Sequence, residues 1–67
     1  MKKDVVIIFG GPGKEHSISI KSAKSVISVI ERKKFNVNEV FINKKMDWFL
    51  NGKKYKVSEI LNKLHPK

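Results

Sequence analysis

The sequence predicts an α/β fold in which a β-α-β unit is followed by a β-hairpin and a short C-terminal helix. An apolar run, Val5–Ile8, leads into a glycine-rich turn, and the turn leads into a segment with helical periodicity that extends to about Lys34. A buried strand, a tight turn and an amphipathic helix together form the first step of an α/β sheet. The hairpin is predicted by the Asn51-Gly52 pair, because a two-residue type I′ turn needs residues that tolerate positive φ.

The first strand is predicted over Asp4–Phe9, and its four consecutive β-branched residues are typical of a parallel strand that is buried on both faces. The helix is expected to begin at Ser17 or Ser19, since either serine is a favourable N-cap. It is expected to end near Lys34, where basic residues suit the negative end of the helix dipole. One apolar stripe at helical spacing should face the sheet, formed by Ala23, Val26, Ile27 and Ile30.

The second strand is predicted over Val37–Ile42, parallel to the first and joined to it by a right-handed crossover. Trp48–Leu50 and Lys53–Tyr55 should form the two strands of the hairpin. Ser58 is the expected N-cap of the terminal helix, and Pro66 bars its continuation. The apolar face of that helix is predicted to contain Ile60, Leu61 and Leu64.

The chain has 67 residues and therefore forms one domain at most. An all-parallel sheet needs both faces covered, and one long helix covers only one of them. The short terminal helix adds little more cover. The sequence therefore indicates the N-terminal part of a domain that continues.

The formal charge of +9 raises the question of nucleic-acid binding. Among the fifteen basic residues only Arg32 is an arginine, and the lysines are scattered in ones and twos. Base recognition and bidentate phosphate contacts favour arginine, whereas dispersed lysines usually cover a solvated surface. The charge pattern therefore argues against a nucleic-acid partner.

The chain contains no cysteine, which excludes disulfides and thiolate chemistry. Its two histidines are far apart in sequence, so no metal site is predicted. No apolar stretch approaches the roughly 20 residues that cross a bilayer. A cytoplasmic location without membrane contact is the simplest interpretation.

The glycine-rich turn matches neither of two common phosphate-binding motifs. A P-loop would need glycine where Ile8 stands and a hydroxyl where Glu15 stands. A dinucleotide fingerprint would need glycine at the position of His16. What remains is a turn that carries Glu15 and His16 at the carboxyl end of a strand, where ligands of open α/β sheets bind.

Two interpretations of Glu15 are open from the residues alone. Its carboxylate at a helix N-terminus is favoured by the helix dipole, and this could be its whole role. Alternatively, Glu15 projects into a crevice and binds a cationic group such as a substrate ammonium. His16 is predicted to hydrogen-bond the turn rather than to catalyse a reaction.

The segment from Gly10 to Ala23 resembles the N-terminal signature of the D-alanine–D-alanine ligases, a family of the ATP-grasp superfamily. That signature reads Gly-Gly-x-Ser-x-Glu-His-x-Val-Ser-x-x-Ser-Ala, and here the segment reads Gly-Gly-Pro-Gly-Lys-Glu-His-Ser-Ile-Ser-Ile-Lys-Ser-Ala. The later Ile42-Asn43-Lys44 and Trp48 region is also similar to the family, so the resemblance covers roughly residues 4–52.

The resemblance implies roles for individual residues of the turn and helix. Glu15 would be the catalytic-site residue that holds the ammonium group of the first D-alanine, and Ile18 would contact its methyl group. Gly10 and Gly11 would let the backbone close over the substrate. The supporting residues would be His16, Ser19 and Ser22, which brace the turn and the helix.

Gly13 is the clear departure from the family signature, which usually has serine at this position. The glycine removes a hydroxyl group and with it any hydrogen bond from that side chain. The resemblance therefore implies a more flexible loop, with weaker positioning of the substrate as a hypothesis.

The family joins two D-alanines at the expense of ATP for peptidoglycan precursor synthesis. The resemblance implies a partial Rossmann-like, pre-ATP-grasp fold, with residues 1–67 forming an incomplete N-terminal substrate-binding domain. ATP and Mg²⁺ belong to ATP-grasp domains that this chain lacks, so the chain holds no cofactor and is expected to be inactive alone. Its expected partners are D-alanine and the remaining ligase domains.

Two alternatives to the ligase interpretation stay open at this point. One is a small basic module that binds nucleic acid or another acidic partner, which only the net charge supports. The other is a truncated remnant that needs the rest of its chain, or a second copy in a homodimer, to complete its sheet.

Overall fold

The computed structural model describes residues 2–64, which form a four-stranded mixed sheet with one helix on each face. The elements in chain order are β1 (Lys3–Gly10), α1 (His16–Val29), β2 (Phe35–Ile42), β3 (Trp48–Leu50), β4 (Lys53–Tyr55) and α2 (Val57–Leu64). The strands are arranged in the order β1-β2-β3-β4. β1 and β2 are parallel, whereas β2–β3 and β3–β4 are antiparallel. The predicted fold class is confirmed.

The strand register assigns the two faces of the sheet. Ile8 pairs with Val40 and Val40 pairs with Leu50, so these three side chains lie on one face. On that face Val40 and Leu50 form the buried core together with Ile60 of α2, and Trp48, Tyr55 and Leu64 pack around them. The opposite face carries Phe9, Phe41 and Phe49, and α1 covers its β1 side.

The prediction that β1 is buried on both faces is wrong. Val6 and Ile8 point to the α2 side of the sheet, where their exposed fractions are 40% and 60%. α2 packs on Val40 and Leu50, which belong to the next two strands, and it covers β1 only incompletely, with Leu64 bordering the same small concavity as Val6. Local hydrophobicity does not reveal whether a second layer exists to cover it.

α1 begins and ends earlier than the sequence suggested. The N-cap is Glu15 rather than Ser17 or Ser19, and no side chain caps the helix. Glu15 has helical backbone angles, and its carbonyl accepts the first helical hydrogen bond from the Ser19 amide at 2.8 Å. At the other end Ile30 is already extended, so the basic residues up to Lys34 lie in the following turn and contribute nothing to the last turn of the helix.

The buried face of α1 is rotated about the helix axis relative to the predicted apolar stripe. Ala23 is the one buried residue of α1, and Ile27 is partly buried as expected, but Val26 is 48% exposed. The partly or fully buried positions are His16, Ser19, Ile20, Ala23 and Ile27, followed by Ile30 just after the helix. Successive residues of a helix are about 100° apart around its axis, so the predicted and the observed stripe overlap. The pattern of apolar residues alone is compatible with either of them.

The hairpin is confirmed at the predicted strand bounds. Asn51 and Gly52 have φ values of 50° and 87°, as a type I′ turn requires. α2 begins at Val57, so Ser58 lies inside the helix and is not its cap. The Lys56 amide donates instead to Glu59 Oε1 at 3.5 Å.

The predicted apolar face of α2 is only partly correct. Ile60 is fully buried and Leu64 packs against the core, but Leu61 is 51% exposed. The predicted stop at Pro66 lies outside the described residues. Over residues 2–64, neither helix has the length and hydropathy needed to span a bilayer.

Candidate functional site

The glycine-rich turn is tied to both of its neighbouring elements by backbone hydrogen bonds. The Gly10 amide donates to Ser19 Oγ at 2.9 Å, which links the end of β1 to α1. The Gly11 amide donates to the Ile42 carbonyl at 2.7 Å, which links the turn to the end of β2. These two bonds fix the turn at the carboxyl ends of the two parallel strands.

Gly10 allows β1 and β2 to approach more closely than any other residue would. Its φ is +97°, and a Cβ at this position would lie 2.1 Å from the Ile42 carbonyl oxygen. Real Cβ atoms do not approach a backbone oxygen at this distance, and neither backbone segment has a free rotation that would relieve it. Glycine is therefore required here for space as well as for conformation.

His16 lies beneath the turn and stabilises it. Its Nδ1 is 2.7 Å from the Gly11 carbonyl, and since a carbonyl only accepts, Nδ1 carries the proton and donates. The imidazole also stands edge-on to the Phe41 ring, with 5.7 Å between the ring centres. The described contacts of His16 are thus with the turn and with the sheet, as a structural role requires.

Phe41 was not singled out as a site-supporting residue by the sequence. Its ring packs between Phe9 and Phe49 on the sheet and contacts His16 above it. The available signal was that each of three predicted strands, Asp4–Phe9, Val37–Ile42 and Trp48–Leu50, contains one phenylalanine. The register that aligns them is known only from the strand pairing.

Glu15, Ile18 and Ser22 share one side of α1, because they are spaced i, i+3 and i+7 along it. All three are exposed, and the exposed fraction of Ile18 is 64%. Within residues 2–64 the Glu15 carboxylate forms no ion pair and accepts no side-chain hydrogen bond. The geometry therefore brings a carboxylate and an exposed apolar side chain together at the carboxyl end of β1.

Gly13 has a φ of +97°, with nothing within 4 Å of the place where a Cβ would stand. The Cβ of a serine at this position would meet no steric contact, but the residue would be strained in the left-handed region. The departure from the family signature at Gly13 therefore coincides with a backbone conformation that favours glycine.

A surface concavity of about 410 Å³ lies between the hairpin and the start of α2. None of the predicted site residues lines it. Trp48 and Tyr55 contribute its aromatic wall, and Asp47 forms an ion pair with Lys54 at 3.5 Å beside it. A hydrogen bond from the Asn43 amide lowers the pKa of Asp47, and the positive charge of Lys54 lowers it further. Since the Asp47 carboxylate is already paired on both sides, we assign this concavity no ligand.

The metal-ligating side chains of residues 2–64 are dispersed. No group of three or more histidine, cysteine, aspartate or glutamate side chains comes together within residues 2–64.

Comparison with known proteins identifies the family. The family model described as "D-ala D-ala ligase N-terminus" matches residues 4–67. The D-alanine–D-alanine ligase of Oceanobacillus iheyensis is 36% identical over all 67 residues, which correspond to 18% of its own length. The D-alanine–D-alanine ligase of Finegoldia magna is 43% identical over 44 residues, 66% of this chain and 13% of the relative.

A solved structure shows the same relationship. The VanG D-Ala:D-Ser ligase of Enterococcus faecalis superposes with a TM-score of 0.73 and 28% identity over 96% of this chain and 18% of its own. The chain thus spans less than a fifth of the length of each of these proteins. The match over nearly the whole chain, together with the shared fold, shows that the chain belongs to the family of D-ala D-ala ligase N-terminal regions.

Proposed function

We propose that this chain is the N-terminal part of an ATP-dependent ligase that joins two D-alanines for peptidoglycan precursor synthesis, and that it contributes the binding site for the first D-alanine. The family membership supports a ligase fragment. The choice of substrate and the site itself are our proposal.

The observation that carries the proposal is the position of Glu15. Its exposed carboxylate stands at the carboxyl end of β1, where ligands of α/β sheets bind, and has no ion-pair partner among residues 2–64. A carboxylate in this position accepts a charge-assisted hydrogen bond from an ammonium group. We assign it to the ammonium of the first D-alanine.

The neighbouring residues fit the rest of a small amino acid. Ile18 lies one turn along the same side of α1, where its exposed side chain would contact the D-alanine methyl group. Gly10 and Gly11 have no side chain that would fill the space above the strand end. Ser19 and His16 hold this turn through their bonds to Gly10 and Gly11.

The proposed function divides the work between this chain and the rest of a ligase. Glu15 and Ile18 would bind and orient the first D-alanine. ATP and its Mg²⁺ ions would be held by the remaining domains, which make up more than four fifths of the length of the ligase relatives. The partners of this chain would therefore be D-alanine and those domains.

The first test replaces the Glu15 carboxylate in a complete ligase. We expect Glu15→Gln to raise the KM for the first D-alanine about 10- to 100-fold, since a hydrogen bond to a charged group contributes about 1.5–3 kcal/mol. The protein would be a chimera in which this chain replaces the matched N-terminal region of the O. iheyensis ligase. ADP formation at varied D-alanine concentration gives the KM.

The matched control is Glu31→Gln, which removes an exposed carboxylate beyond the end of α1. Within the described part of the chain, the Glu31 carboxylate pairs with Lys34, three residues further along, at 3.2 Å. Its replacement should leave the KM unchanged. Equal KM values for Glu15→Gln and Glu31→Gln would contradict the proposed site.

The second test concerns the chain by itself. Because the chain spans less than a fifth of the length of its ligase relatives, we expect no D-alanine-dependent release of phosphate from ATP by the purified chain. A coupled assay for ADP measures this directly, with the chimeric ligase as the positive control. Turnover by the chain alone that required D-alanine would refute the division of labour proposed above.

A further inference from the structure

The hairpin turn contains an asparagine that differs chemically from the other asparagines of the chain. Asn51 precedes Gly52, whereas every other asparagine precedes a residue with a side chain. The backbone nitrogen of the following residue can attack an asparagine carboxamide, and a glycine leaves that nitrogen unhindered because it has no Cβ. Asparagine is among the thermolabile residues of proteins. Asn51 is therefore the asparagine of this chain that most readily loses its amide.

The loss of the amide proceeds through a cyclic succinimide. The Gly52 nitrogen bonds to the Asn51 Cγ, the Cγ–Nδ2 bond breaks, and ammonia leaves with the proton that the Gly52 amide gives up. Water then opens the ring at either of its carbonyl carbons. One opening gives aspartate, and the other gives isoaspartate, in which the main chain runs through the side-chain carbon. Water is the only co-reactant of this sequence.

The backbone conformation of the closed turn opposes ring closure. Asn51 and Gly52 have φ values of 50° and 87°, and the first central residue of a type I′ turn has a ψ of about +30°. Ring closure requires the Gly52 nitrogen to be eclipsed with the Asn51 Cβ across the Cα–C bond. At a ψ of about +30° this nitrogen is rotated far from Cβ. The turn must therefore open before the ring can form.

β2 also holds the Asn51 carboxamide at both of its polar atoms. The Oδ1 atom accepts the Glu39 amide at 2.8 Å, and the Nδ2 group donates to Asn38 Oδ1 at 3.1 Å. The Asn51 amide donates to the Glu39 carbonyl at 2.8 Å. The carboxamide thus continues the pairing with β2 just beyond the end of β3 at Leu50. These bonds direct it to β2 rather than to Gly52.

We propose that Asn51 is a latent deamidation site, which the closed hairpin protects and an open hairpin releases. In the closed turn, the backbone angles and the bonds to β2 both oppose attack by the Gly52 nitrogen. In the open turn, Asn51 and Gly52 have the freedom of an unstructured peptide. Loops and turns open locally without unfolding of the whole protein. The rate of deamidation therefore depends on how often the hairpin opens.

Deamidation would weaken the attachment of the hairpin to β2. An aspartate at position 51 keeps an oxygen that accepts the Glu39 amide, but it has no Nδ2 group to donate to Asn38. An isoaspartate lengthens the main chain between β3 and β4, and this changes the loop length that selects the turn type. The preceding Leu50 belongs to the buried core. A displaced hairpin would therefore expose apolar surface.

The experiment compares the full chain with a synthetic peptide of residues 46–53 in the same neutral buffer. Trypsin cleavage after Lys45 and Lys53 isolates this segment from the chain, and mass spectrometry then measures the loss of the Asn51 amide. We expect the folded chain to react at least about tenfold more slowly than the peptide, because opening must precede ring formation. Both should give a mixture of aspartate and isoaspartate.

A matched pair of β2 variants tests the bond to Asn51. Asn38→Ala removes the acceptor of the Asn51 Nδ2 group and should accelerate deamidation about 2- to 10-fold. Asn36→Ala removes a side-chain hydrogen bond of the same kind, to Asp4 at 3.2 Å, and should leave the rate unchanged. Circular dichroism verifies that both variants are folded. Hydrogen exchange at the Glu39 amide measures the opening of the turn directly.

Each outcome decides for or against the inference. Equal rates in the folded chain and the peptide would show that the hairpin gives no protection, and this comparison needs no variant. Equal rates in Asn38→Ala and Asn36→Ala would remove the role of β2. Loss of the amide without any isoaspartate would exclude the succinimide. A slow reaction in the folded chain, with faster deamidation and faster Glu39 exchange in Asn38→Ala alone, would support the proposal.

Discussion

Gly10→Ala is expected to reduce the free energy of unfolding by about 3 kcal/mol or more. The new Cβ would lie 2.1 Å from the Ile42 carbonyl oxygen, in a residue whose φ is +97°. A left-handed conformation costs a non-glycine residue roughly 1–2 kcal/mol, and overpacking adds roughly 1–3 kcal/mol. The Ile42 carbonyl also accepts the Gly11 amide, so any movement that relieves the contact weakens this bond.

Gly11→Ala is the matched control for Gly10→Ala. Gly11 has almost the same φ, +94°, but nothing lies within 4 Å of its absent Cβ. It should therefore cost only the backbone strain, about 1–2 kcal/mol. Urea unfolding followed by Trp48 fluorescence measures both variants. Equal losses in the two variants would show that the close approach of β1 and β2 at Gly10 has no energetic effect.

Ile60→Ala is expected to destabilise the chain by about 2–5 kcal/mol, because it removes most of a fully buried side chain from the small core. Ile60 packs on Val40 and Leu50, and it is the residue through which α2 covers the sheet. A domain of this size has a total stability of only about 3–10 kcal/mol at the usual 0.05–0.15 kcal/mol per residue. We therefore expect a substantial unfolded population and increased exposure of Trp48.

The adjacent Leu61→Ala tests the assignment of the buried face of α2. Leu61 is 51% exposed, so its truncation should cost less than about 1 kcal/mol. Thermal unfolding followed by circular dichroism compares the two variants in the same helix. A loss for Leu61→Ala as large as that for Ile60→Ala would mean that α2 docks with a different face.

The local elements could be predicted because their signals are contained in short segments. Asn51 and Gly52 specify a turn through their own conformational preferences, so the hairpin bounds were correct. The β-branched run of β1 and the glycines after it fixed the strand and the place of the turn. The N-cap of α1 was wrong because Ser19 bonds to Gly10 across the turn instead of capping its own helix.

The residues of the candidate site could be selected from the sequence, but their arrangement could not. The signature from Gly10 to Ala23 indicated Glu15 and Ile18 through family resemblance, and their roles stay proposals. His16 packs against Phe41, and Gly10 lies close to the Ile42 carbonyl. In each pair the two residues are more than 20 positions apart in the sequence. Such contacts exist only once β1 and β2 are paired in register.

The sequence by itself determined the order of the elements, the glycine-rich turn and the family, because each of these depends on neighbouring residues along the chain. Only the tertiary structure decided which apolar residues are buried. Val6 and Ile8 are as hydrophobic as Val40, yet they stay exposed while Val40 is fully buried. The difference arises because burial requires a second layer, and α2 packs over Val40 and Leu50 of β2 and β3 but covers β1 only incompletely.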